Sequence, residues 1–146
     1  IRTSTFPTMD MCFVGNKTIH AKRKYSLEEI AAFDILTFQR GSQPHVGLLD
    51  LFRAKRIQPR KVHTISSISA MLQLVQGGFG VATLPRAAVE RLSESRHIRP
   101  LACTTALLPL PIHVSYRLDP VALTAEQLLA SAIDYARKKS KHRNDR

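Results

Sequence analysis

Apolar residues in this chain fall into short clusters whose spacing alternates between strand-like and helix-like along its length. Met11-Cys12-Phe13-Val14-Gly15 is an unbroken apolar run and predicts a buried strand. A loop follows from Asn16 to Lys24, with Lys17, Lys22, Arg23 and Lys24 and no acid. Ser26-Leu27-Glu28-Glu29 has the form of a capping box and starts a short helix into Ile30-Ala31-Ala32. Ile35-Leu36-Thr37-Phe38 reads as the next strand, and Gln39-Arg40-Gly41-Ser42-Gln43-Pro44 as a turn-rich loop. From His45 to about Lys55, Val46, Leu49 and Phe52 recur at helical spacing, with Leu48 and Leu51 beside them. Val62 to Ile65 is β-branched and predicts a strand.

Ser66 and Ser67 suit a helix N-cap, and Ile68, Met71, Leu72 and Val75 continue at helical spacing until Gly77-Gly78. Phe79 to Leu84 predicts a strand closed by Pro85, Ala87 to Leu92 a short helix, and Ile98 to Cys103 another strand. Ile112 to Tyr116 alternates with period two, and Thr124 caps a final helix in which Leu128, Ala132 and Tyr135 share a face. Strands alternating with helices predict an α/β domain with a largely parallel sheet. No repeat with a period of about 20–50 residues is visible.

Composition narrows the class. A chain of 146 residues with 44% hydrophobic content is long enough for one domain with its own core. Collagen-like, disulfide-framework and membrane-spanning chains are excluded, the last because apolar runs stop far short of the roughly 18 residues a span needs. Cys12 and Cys103 stand far apart outside any CxxC spacing, which fits free thiols in a reducing compartment, a single disulfide being the alternative. No secretory signal is visible, and the chain opens at Ile1 with no start signal, as expected of a cut segment. Charge changes the picture most: 22 Lys and Arg stand against 11 Asp and Glu, a net +11 that favours polyanionic neighbours. The last ten residues carry six of those cations and one Asp, which reads as a frayed basic tail.

Candidate chemistry is sparse. Gly78-Phe79-Gly80 suggests a nucleotide loop, but such a loop runs from strand through glycines into a helix, and here the glycines end a helix and open a strand. The six histidines form no HxH or HxxxH pair, so no metal site is expected. Carboxylates are scattered, and nothing assembles a nucleophile, a base and an orienting group, so no enzyme is expected. Arg53, Lys55, Arg56, Arg60 and Lys61 cluster at a helix end where cations suit the macrodipole, without aromatic residues interleaved for base stacking. Two helix starts remain, one fed by Gln39–Gln43 and one opened by Ser66-Ser67. Both follow strands, at the sheet edge where open α/β folds bind ligands, and their N–H groups suit a carboxylate, with Arg40, Ser42 and Ser66 adding hydrogen bonds. The serines also serve simply as caps, and both readings stand.

The run Thr64-Ile65-Ser66-Ser67-Ile68 through Leu74-Val75-Gln76-Gly77-Gly78-Phe79-Gly80-Val81 to Leu84-Pro85 resembles the effector-binding domain of LysR-type transcriptional regulators. Ser26-Leu27-Glu28-Glu29-Ile30 and Phe52-Arg53-Ala54 leading to Pro59 support the likeness, while Asn16, His20 and Ala21 echo only part of a further motif. The resemblance implies a type 2 periplasmic-binding-protein-like fold, with one complete subdomain and part of another. It assigns 1–23 to the end of subdomain I and a crossover strand, 24–113 to subdomain II, and 114–136 to the return crossover and C-terminal helix of subdomain I; 137–146 is left as the disordered basic tail that its charge indicates. It further implies a cytoplasmic homo-oligomer that binds a small, anionic effector in a cleft, needs no cofactor or membrane, and reaches DNA through a winged helix-turn-helix outside this chain. The matching site positions are Phe38, Gln39, Arg40, Ser42, Ser66, Ser67, Phe79 and Gly80. The alternatives are a solute-binding protein and a basic nucleic-acid-binding module.

Overall fold

A computed structural model describes residues 1–94, 96–119 and 122–144. The element order is β1 (Arg2–Met9), β2 (Met11–Asn16), α1 (Leu27–Ala31), β3 (Asp34–Thr37), α2 (Gln43–Ala54), β4 (Lys61–Thr64), α3 (Ile68–Gln76), β5 (Val81–Pro85), α4 (Arg86–Leu92), β6 (Ile98–Leu101), β7 (Leu110–Tyr116) and α5 (Ala122–Asn144). The chain divides into two compact units, residues 10–110 and residues 1–9 with 111–146.

The larger unit is built on a five-stranded sheet of order β4-β3-β5-β2-β6. β3 runs parallel to both β4 and β5, whereas β2 is antiparallel to β5 and β6 and is alone in its direction. Neighbouring residues along each strand alternate between two cores, as a strand's period of two requires. Cys12, Val14, Leu36, Ala82 and Leu84 face α3 and α4 through Met71, Leu72, Val75 and Val89. Phe13, Ile35, Val81 and Leu101 face α1 and α2 through Leu27, Ile30, Leu48 and Phe52. Both sheet faces are therefore covered, which is why β2 and β5 read as continuous apolar runs. Each fully buried Leu, Ile or Phe contributes about 1.5–3 kcal/mol.

Local chemistry sets the element ends. The expected capping box forms: the Glu29 backbone N–H donates to Ser26 Oγ at 3.2 Å, and the Ser26 N–H donates to Glu29 Oε2 at 2.8 Å. Helix α2 begins two residues earlier than the hydrophobic pattern predicts, because Pro44 fits the first turn, where an N–H has no helical acceptor. Strand β5 keeps Pro85 as its last residue, and its N-terminal limit is Val81 rather than Phe79.

In the smaller unit, β1 pairs with β7, and α5 packs on β1. The Arg2 guanidinium meets Glu126 Oε1 at 2.9 Å, and the Tyr116 hydroxyl donates to the same oxygen at 3.3 Å. Strand β1 is not announced by the hydrophobic pattern, since its residues are rich in Thr and Ser and mostly exposed.

Three expected boundaries change. The run Met11–Asn16, assigned above to residues 1–23 and the first subdomain, is hydrogen-bonded on both sides inside the larger unit's sheet, so the division falls between residues 9 and 10. At the other end it falls after Leu110 rather than after residue 113. Residues 137–144, expected to be a frayed tail, continue α5 through Asn144. Lys and Arg are good helix formers and suit the negative end of a helix dipole. Asp145 and Arg146 lie outside the described residues. Cys12 and Cys103 are both free thiols, and burial pushes the Cys12 thiol up to about 11.

Candidate functional site at the carboxyl edge of the sheet

Strands β3 and β4 end side by side at Thr37 and Thr64, and each hands the chain to a helix. After β3, the segment Phe38-Gln39-Arg40 leads to Gly41, whose φ of +80° suits a residue without a side chain. The turn is closed by the Ser42 N–H donating to the Gln39 carbonyl at 3.0 Å, and the Gly41 N–H donates to His45 Nδ1 at 3.2 Å. Ser42 is the N-cap of α2, yet its side chain makes no capping bond. Its Oγ is the one buried side-chain polar atom without a hydrogen-bond partner among the described residues. A buried hydroxyl left unpaired costs about 1–3 kcal/mol.

After β4, the Ile65 N–H donates to the Thr37 carbonyl at 2.8 Å and ties the two strand ends together. Ser67, not Ser66, caps α3, its Oγ accepting from the Ala70 N–H at 3.3 Å. Ser66 and Ser67 are both exposed, as are Gln39 and Arg40, whereas Phe38 is half-buried and packs with Ile65 on the core beneath. Below this edge the Thr37 and Thr83 hydroxyls, both buried, hydrogen-bond at 2.8 Å.

The two helix starts thus open at one edge, and neither first turn contains an acid. Their early N–H groups lack helical acceptors and point the positive dipole ends outward. With the Arg40 guanidinium, the Ser42 and Ser66 hydroxyls and the apolar Phe38, the edge suits an organic anion.

Phe79 and Gly80 do not join this group. Val81 pairs with Ile35, so Phe79 and Gly80 precede β5 at the opposite, amino edge of the parallel strands. The Phe79 ring lies edge-on to His63 at 5.2 Å between centroids. A Cβ on Gly80 would collide with the Asp34 carbonyl oxygen, so glycine there serves close strand packing. Thr37 and Thr83 are not singled out by the sequence pattern, because their pairing joins strands 46 residues apart. Among the described residues, no group of three or more His, Cys, Asp or Glu is placed to hold a metal ion. No helix among them is long and apolar enough to cross a membrane.

Among solved structures, the chain is similar to the CcmR regulatory domain of Synechocystis in complex with 2-PG, with 13% identity and a TM-score of 0.74 over 90% of this chain and 66% of that one. It is also similar to the effector-binding domain of QuiR in complex with shikimate (18% identity, TM-score 0.66, 93% of this chain and 66% of that one). The regulatory domain of MetR from N. meningitidis, a LysR family regulator, matches at 16% identity and a TM-score of 0.67, over 97% of this chain and 65% of that one. The chain spans about two thirds of the length of each of these. None of the curated proteins matches it. The model of the LysR substrate binding domain matches residues 5–137. With that match over nearly its whole length, the chain belongs to the LysR substrate binding domain family.

Proposed function

We propose that this chain is the effector-sensing part of a LysR-type regulator and takes a small organic anion at the carboxyl edge of the larger unit's sheet. The observation that carries this reading is the meeting of two helix starts, that of α2 uncapped, with a buried, unpartnered Ser42 Oγ and the Arg40 guanidinium on the connecting loop. A ligand carboxylate would satisfy the early helix N–H groups, and would pair with the orphaned hydroxyl once the Ser42 side chain turns outward. Relatives of the same family are described in complex with 2-PG, shikimate and benzoate, the last two carrying one carboxylate each. The role proposed is binding without turnover, since the edge offers donors and positive dipole ends suited to holding an anion.

In the intact regulator, effector binding would bias a conformational equilibrium and so change how a separate DNA-binding part engages its target. Homo-oligomerisation, a cytoplasmic setting and the absence of a cofactor belong to the same proposal, the setting supported by two free thiols.

The test is calorimetric titration of the chain with shikimate, benzoate and 2-PG, repeated on Arg40→Ala and Ser42→Ala. Binding of at least one anion, weakened about tenfold or more in both variants with the melting temperature not lowered, is the expected result. Full-strength binding in both variants would remove the site from this edge.

A further inference from the structure

The edge opposite the proposed effector site has a chemistry of its own. Asn16 at the end of β2, Lys61 at the start of β4 and Ile98 at the start of β6 all lie at the amino edge of the parallel strands. The three segments that arrive there or leave from there are residues 17–24, 53–61, and 93–94 with 96–99. They hold eleven of the chain's 22 Lys and Arg. Nine of these eleven are exposed, and Arg96 and Arg99 are half-buried. Five carboxylates lie in or beside these segments, leaving a surplus of six positive charges. Three of the five are already engaged: Glu29 with Lys22, Asp50 with Arg53 at 2.7 Å, and Asp34 with His63 at 3.1 Å.

The cations are far apart in sequence and are gathered only by the fold. Hydrogen bonds lock two of the segments together: the Lys17 N–H donates to the His97 carbonyl at 3.1 Å, and Lys17 Nζ donates to the Ser93 carbonyl at 2.8 Å. They flank the sheet on both sides, since residues 53–61 lead into the outer strand β4 while the other two segments adjoin β2 and β6. Five strands at about 4.8 Å spacing make this end about 20 Å wide. Phe79, 48% exposed, stands at the same edge.

We infer that this cationic end docks on the phosphate backbone of duplex DNA without reading its sequence. Such a surface binds by releasing counterions, so its affinity falls steeply with salt. The choice of DNA over other polyanions rests on the regulatory reading above, because a regulator's effector domain is held near the duplex and sees its phosphates at high effective concentration. The binding itself is independent of any effector and of the carboxyl-edge site.

The experiment is fluorescence anisotropy of a labelled 20-base-pair duplex of arbitrary sequence, titrated with the full chain between 50 and 200 mM salt. Two quadruple variants lower the net charge equally: Arg23, Lys24, Lys55 and Lys61→Gln at the amino edge, and Arg137, Lys138, Lys139 and Lys141→Gln on α5. The unsubstituted chain is expected to bind in the micromolar range at 50 mM salt. The first variant is expected to lose about tenfold or more in affinity and to flatten the log–log salt slope by about 3–4, at about 0.9 per lost phosphate contact. The α5 variant is expected to stay within about twofold on both measures. If the first variant melts early, the double variant Arg23→Gln with Lys55→Gln replaces it, with a loss of about fourfold expected. No binding at 50 mM salt, equal losses in the two quadruple variants, or loss only in the α5 variant would overturn the inference. So would tighter capture by anionic vesicles than by the duplex at equal anionic charge.

Discussion

Gly80 shows how one residue separates packing from ligand chemistry. Its missing side chain lets β5 approach the Asp34 carbonyl, and a methyl group there has nowhere to go but into backbone. Gly80→Ala is therefore expected to cost about 1–3 kcal/mol in urea denaturation. An unchanged midpoint with weakened anion binding would instead restore Gly80 to the ligand site. Ser42 should behave in the opposite way. Removing an unpaired buried hydroxyl costs no hydrogen bond, so Ser42→Ala is expected to leave stability unchanged or to raise it by up to about 1 kcal/mol. A loss of 1 kcal/mol or more would mean that Ser42 caps α2 after all. His20 gives a pH dependence. It is buried against Phe33, its Nδ1 accepts from the Asn16 N–H at 2.9 Å, and burial holds its pKa below the ordinary 6.5. The unfolded chain then binds the extra proton first, so this contribution to stability is complete above pH 6.5 and is lost as pH falls below it. The urea midpoint should drop between pH 7 and 5, and the drop should shrink in His20→Gln. Glu29 and Asp34 do not confuse that window, because partners hold both carboxyls below their ordinary values of 4.5 and 3.8.

At the level of elements, each helix is tied to the sheet by a few side chains that its spacing puts on one face. Leu48 and Phe52 are the fully buried residues of α2, one turn apart. Phe52→Ala is expected to destabilise the larger unit by about 3–5 kcal/mol, as measured by denaturant titration. A cost under 1 kcal/mol would mean that α2 is not anchored through this residue. These anchors were legible in the sequence because 3.6-residue periodicity marks a helix's buried stripe directly. The capping box of α1 was equally legible, since both of its hydrogen bonds are local. Strand ends were less so. Phe79 looks like part of β5 because it is apolar, yet it lies beyond the last paired residue. Pairing, not hydrophobicity, sets where a strand begins.

The two units of the molecule differ in what holds them. The larger one encloses two cores on either side of its sheet, whereas the smaller one is a two-stranded sheet with one helix, an arrangement that is marginal by itself. Amide exchange is expected to be slowest at Phe13, Leu36 and Ala82, and faster by orders of magnitude at Thr3 and Val114. Equal protection in both units would contradict this. Much of the larger unit's plan was written in the sequence: alternating strand and helix periods, the caps and the apolar runs, all of which depend on residues within a few positions of one another. The resemblance from Thr64 to Pro85 carried the family as well, because that run unites a cap, a helix and a buried strand in one segment. The tertiary structure decided what local pattern does not encode. It reversed β2 against its neighbours, drew Phe38–Ser42 and Ser66-Ser67 to one edge, and sent Phe79 and Gly80 to the other. It also gathered cations from three distant segments at a single end of the sheet. The physical reason is the same in each case: strand direction and order are fixed by hydrogen bonds between residues far apart in the chain, and those bonds determine which edge every connecting loop occupies.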